Sequence, residues 1–143
     1  MLIPGACHCG NLSFVVDWQP DPTQIPARGC TCSFCVKHGA VWTSSGAATL
    51  NVTVRRPSLV SRYAFGTRTA EFHVCATCGA VPVATCRIDD RLYAVVNVNA
   101  FDHLDPALLH RTSSAVGEED RNTRLARRKR NWFGTVDYVE LDG

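Results

Sequence analysis

Aromatic side chains make up only 8% of this 143-residue chain, methionine occurs once, and fifteen basic residues are nearly cancelled by thirteen acidic ones. Each shortage narrows what the protein does. A net charge of +2 is too balanced to imply a polyanionic partner such as nucleic acid from charge alone. No run approaches the roughly eighteen apolar residues that a membrane helix needs. Met1 to Cys7 carries neither the basic start nor the apolar stretch of a secretory leader. The expectation is a cytoplasmic protein without a membrane partner. Repeats, low-complexity tracts and linkers are also missing, so residues 1–143 are read as a single domain.

Cysteine is what the chain has in quantity. Seven of the eight fall into three clusters, Cys7-His8-Cys9-Gly10, Cys30-Thr31-Cys32-Ser33-Phe34-Cys35 and Cys75-Ala76-Thr77-Cys78-Gly79, while Cys86 stands alone. Thiolates two or three residues apart converge on one tetrahedral ion at about 2.3 Å per bond, whereas disulfide partners come mostly from distant segments. The grouping is a zinc-ligand layout. A secreted disulfide framework is disfavoured because a reducing interior keeps such thiols free for metal. With 45% apolar residues the chain has a core of its own, so metal adds to that core and does not replace it.

The hydrophobic pattern is mostly that of strands. Leu12, Phe14 and Val16 alternate with polar or outward positions, and the segments 40–45, 49–55, 59–64, 68–74, 80–87, 92–98 and 135–141 also read as extended. Phe65-Gly66-Thr67 and Asp89-Asp90 are the expected hairpin turns. Residues 18–29 are expected to be a loop, because Pro20, Pro22 and Pro26 remove backbone donors. Pro106 suits a first helical turn, so a short helix is expected over 107–110. A second is expected over 118–130, whose acidic start and basic end complement the helix dipole.

Two pairs, Cys7 with Cys9 and Cys75 with Cys78, make four thiolates with no vacancy, the composition of a structural site. Gly10 and Gly79 follow where a knuckle needs a residue free to take positive φ. The middle cluster offers three thiolates, and three ligands leave a position for water or substrate, the mark of a catalytic ion. The competing possibility is a fourth ligand from Cys86, His38 or His73. Lys37 and His38 follow Cys35 closely and offer charge or a proton acceptor beside the metal; the alternative for both is ordinary solvation.

Taken together, CxCG, CxCSxC and CxxCG in this order resemble the glutathione-dependent formaldehyde-activating enzyme family, which also includes centromere protein V. The resemblance spans Cys7 to Cys78. It implies a mainly β fold of compact, zinc-bound antiparallel sheets with one or two short helices, similar to the zinc accessory proteins of Rab GTPases. It further implies two zinc ions per chain, a structural one on Cys7, Cys9, Cys75 and Cys78 and a labile one on Cys30, Cys32 and Cys35. The implied activity is that of a carbon–sulfur lyase adding glutathione or a similar thiol to formaldehyde or a related aldehyde, with the catalytic zinc on Cys30, Cys32 and Cys35; our own expectation from the neighbouring residues is that zinc or Lys37 polarises the aldehyde oxygen. The basic run Arg121 to Arg130 reads as a solvated helix face in preference to a contact for the carboxylates of glutathione. Two rivals are a zinc module for nucleic acid and a non-catalytic protein-interaction module on the same fold.

Overall fold

The computed structural model describes residues 1–116 and 118–141. The chain forms two sheets. One is built from β1 (Leu2–Ala6), β2 (Leu12–Asp17), β5 (Thr49–Val54) and β11 (Thr135–Glu140), hydrogen-bonded in that order. The other holds seven strands, which run β10 (Leu109–Ser114), β3 (Ile25–Cys30), β4 (Val41–Thr43), β9 (Arg91–Asn97), β8 (Val83–Ile88), β7 (Glu71–Cys75) and β6 (Val60–Tyr63) across the sheet. The fold is mainly β. Both sheets are mixed, not antiparallel throughout as expected, because β10 runs parallel to β3 and β11 parallel to β5.

Alternation explains the packing. Leu12, Phe14 and Val16 of β2 and Leu50, Val52 and Val54 of β5 turn one face inward, where they join Ile25, Val83, Val96 and Phe133 in the main core. The Asp89-Asp90 turn forms as expected, with both residues at positive φ between Ile88 and Arg91, which pair across it.

Three strands were not anticipated. β1 carries Pro4 and Gly5, which mask the alternation that buries Ile3. β3 lies inside the expected loop: Pro26 sits opposite His110 of β10 but outside the short pairing with β4, which engages only Arg28 and Gly29, so its missing N–H is tolerated. β10 displaces the helix expected over 107–110, which is only a 3₁₀ turn at Pro106–Leu108. Its side chains are largely exposed, as befits an edge strand with no apolar face to read.

Two helices complete the chain. α1 (Ser33–His38) is six residues long, too short for a periodic signal. α2 (Arg121–Asn131) starts three residues later than expected, because the Asp120 carboxylate accepts from the Thr123 N–H at 2.7 Å and caps it there. Glu118 and Glu119 therefore belong to the preceding loop. No helix of the described residues is long and apolar enough to cross a membrane.

Candidate active site

The first and third cysteine clusters meet across the two sheets. Cys7 and Cys9 occupy the turn between β1 and β2, Cys75 ends β7 and Cys78 lies in the turn that follows it. Cys7 and Cys9 converge through a turn: the Gly10 N–H bonds the Cys7 carbonyl at 3.0 Å, with Gly10 at φ 84°. The other turn is built alike. There the Gly79 N–H bonds the Cys75 carbonyl at 2.8 Å, with Gly79 at φ 80°, a backbone region that side chains resist. All four sulfurs lie within 4.8 Å of one another. The Cys7–Cys9 and Cys9–Cys75 separations are 3.7 and 3.5 Å. Four sulfurs about 2.3 Å from one ion stand roughly 3.8 Å apart, so the donor set fits a thiolate-binding metal. Burial pushes the Cys7 thiol up to about 12, and a bound cation would replace that proton.

The middle cluster is assembled by one short stretch of chain. Cys30 ends β3, Cys32 caps α1 and Cys35 lies in its first turns, all three sulfurs within 4.8 Å. Cys32 Sγ accepts from the Cys35 N–H at 3.4 Å, and the Trp42 indole N–H donates to Cys35 Sγ at 3.4 Å. The Cys35 thiol stabilises Cys30 as thiolate and holds it down at about 5, while the same contact together with burial pushes Cys35 upward. Charge therefore settles first on Cys30.

The residues proposed to close this cluster are elsewhere. Among the described residues, no histidine, carboxylate or further cysteine shares the 4.8 Å limit with the three sulfurs. His73 is 1% exposed, and both of its ring nitrogens are engaged, with Thr85 Oγ1 at 2.7 Å and the Tyr138 hydroxyl at 3.1 Å. Burial lowers its pKa to about 4, so it is a neutral core histidine. Cys86 is buried against Arg128, whose Nη1 donates to it at 3.4 Å. His38 packs against Phe34 with ring centres 4.4 Å apart and the planes tilted by 53°. Lys37 is exposed, and neither it nor His38 lines the cavity described next.

Cys30, Cys32 and Cys35 open onto a cavity of about 580 Å³ that none of the other cysteines lines. Its volume is that of a small-molecule pocket, about 300–1,000 Å³. One wall is apolar, with Trp42, Phe65, Phe72 and Trp132. Phe34 of α1 holds that wall in place, its ring 4.8 Å from Phe72 and 5.5 Å from Phe65. The lining also carries Arg28, Arg124, Arg127 and Arg128, with Glu118 and Glu119.

This corrects the reading of α2 as a solvated face. Arg121 and Arg130 are exposed and Lys129 pairs with Asp89 at 2.6 Å, but Arg124, Arg127 and Arg128 turn to the cavity. Arg127 grips Glu119 with three contacts of 2.9 to 3.1 Å, which fastens the helix to the preceding loop. Arg128 lies over the Trp132 ring four residues on, at 4.8 Å from its centre. Arg28 went unrecognised because its segment was read as loop; read as a strand, Arg28 and Cys30 are two apart and share a face.

A β scaffold carries a four-thiol knuckle and, apart from it, a three-thiol cluster facing a pocket, two groups that could each hold a metal ion. Residues 2–114 match the family described as glutathione-dependent formaldehyde-activating enzyme, and the chain belongs to that family. It is similar to a crystal structure of a Rhodobacter sphaeroides protein, 32% identical over 72% of this chain and 91% of that chain, with a TM-score of 0.54. No curated protein matches it. The family match ends at Ser114, so α2 and its arginines lie beyond it.

Proposed function

We propose that the protein is a zinc-dependent carbon–sulfur lyase that adds a small thiol, glutathione or similar, to formaldehyde or a related aldehyde and catalyses the reverse cleavage. The observation that carries this reading is the location of Cys30, Cys32 and Cys35 on the wall of the cavity, with no fourth donor beside them among the described residues. Cys7, Cys9, Cys75 and Cys78 would hold a second, structural zinc. At the three-cysteine cluster a bound zinc would supply Lewis-acid stabilisation of an incoming thiolate.

The chain's own residues do the rest. Cys32 is fixed by the cap of α1 and Cys35 by the Trp42 indole, so the donor set is held before substrate arrives. The aromatic wall keeps water from the reacting atoms, and the guanidiniums stabilise negative charge that develops on the aldehyde oxygen. Lys37 lies outside the cavity lining, and Arg127 is the guanidinium we assign to that role. The new bond joins sulfur to the carbonyl carbon, and the thiol proton ends on oxygen. All eight cysteines are unpaired, which suits a reducing compartment such as the cytoplasm.

Cobalt replacement tests the reading. Glutathione added to the cobalt-loaded protein should shift the metal absorption, and exchange spectroscopy should show faster formation of S-hydroxymethylglutathione with the protein present. A spectrum indifferent to every thiol would overturn it.

A further inference from the structure

Arg128 is 6% exposed, yet no carboxylate pairs with it among the described residues. Its Nη1 donates to Thr69 and Cys86, while Nε is buried without any partner. The Trp132 face offsets part of the cost of burying this charge but supplies no acceptor. Arg28 is in the same position: Ser44 Oγ, at 2.6 Å, is its one hydrogen-bond partner among the described residues, and it has no ion pair there. Loss of hydration weighs on both guanidiniums, and the nearby Arg127 adds repulsion. An arginine does not shed its proton, so neutralisation is no way out. The Glu119 carboxylate, gripped by Arg127, pairs with neither Arg28 nor Arg128.

Both unmatched guanidiniums line the cavity that holds Cys30, Cys32 and Cys35. We propose that Arg28 and Arg128 form a carboxylate subsite, which anchors an acid group of one reactant while its reacting atom lies at the three cysteines. Planar forks match carboxylates, and an anion there would complete two charges that the fold leaves uncompensated. The location of the reacting atom rests on the lyase reading above; the anion subsite itself does not. Formaldehyde, with two heavy atoms, fills a small part of about 580 Å³, so the acid group belongs to a larger partner, either the thiol or a carboxylate-bearing aldehyde.

S-methylglutathione separates the subsite from the chemistry, because it keeps both carboxylates and has no free thiol. Calorimetry on the zinc-loaded protein should show it binding to the native chain and about tenfold or more weakly to Arg128→Gln and to Arg28→Gln. Its diester should bind the native chain as weakly as the variants bind the acid. Arg28→Gln carries the test if Arg128→Gln fails to fold. A second arm assigns the bearer: glyoxylate binding that drops in the variants, with S-methylglutathione indifferent, would place the acid group on the aldehyde. Equal binding of acid and diester together with unchanged glyoxylate binding, or no binding of either probe, would overturn the subsite. A cobalt spectrum that ignores thiols would overturn the lyase reading while leaving these binding results standing.

Discussion

The two cysteine clusters use the same donor chemistry in opposite topological settings. The four-thiol knuckle takes one pair from each sheet, and its Cys9–Cys75 contact spans 66 residues of chain. An ion there closes a long loop and ties the β1–β2 turn to the turn after β7, so its binding free energy becomes folding free energy. The three-thiol cluster lies within the end of β3 and the start of α1, held already by local hydrogen bonds. An ion there constrains little additional chain. Topology thus predicts which ion, once bound, the fold would depend on, and the cavity beside Cys30, Cys32 and Cys35 predicts which one would be reached from the pocket.

The sharpest way to break that division is to remove one ligand from the knuckle. Structural zinc contributes about 10–16 kcal/mol, which matches or exceeds the 5–15 kcal/mol or so of a whole domain. Cys78→Ser should therefore leave the chain unfolded or aggregated, seen as loss of the β circular-dichroism signal and of a cooperative melt. A folded Cys78→Ser protein would mean the sheets hold without the staple. Next in size is the paired loss at the cavity. Cys32→Ser keeps an oxygen to accept from the Cys35 N–H, so the cap of α1 survives. Thiol-dependent turnover should fall by more than about a hundredfold. The melting temperature should move by only about 2–4 °C. Similar loss of fold in both variants would erase the distinction.

Chelation grades the same contrast without mutation. The cavity ion should transfer to a chromogenic chelator at least about tenfold faster than the knuckle ion, because three protein ligands and solvent access replace four partly buried ones. A single release phase accounting for both ions would merge the two sites.

The knuckle and the cluster were legible as spacing, because i, i+2 and i, i+3 thiols have few other uses. The strands with clean alternation, β2 and β5, were legible for the same local reason, and β8 and β9, buried almost throughout, were legible as short extended segments flanking the Asp89-Asp90 turn. What could not be read was set by distant neighbours. Pro26 looks like a strand breaker until β10 is seen to flank it, and β10 has no apolar face to announce itself. The cavity is formed by β3, α1, β4 and α2, so Arg28, Trp42 and Arg128 become neighbours only after folding. Arg128 shows the difficulty best: in sequence it belongs to a run of basic residues that favours solvent, and only the four-residue step to Trp132 hints at a buried position.

The smallest expected effect is the finest test of how separate the two sites are. Trp42→Phe removes the indole N–H that reaches Cys35 Sγ at 3.4 Å, while a ring is retained near Phe72, whose centre lies 5.9 Å from that of Trp42. One such hydrogen bond is worth about 1 kcal/mol, or about fivefold in affinity. Competition with a chelator should show the cavity site weakened by that factor and the knuckle unchanged, since the Trp42 indole bonds Cys35 and packs in the cluster of apolar side chains around Cys30, Cys32 and Cys35. Equal weakening at both sites would show that Trp42 acts through general packing of the seven-stranded sheet, and that the two clusters are mechanically coupled through it.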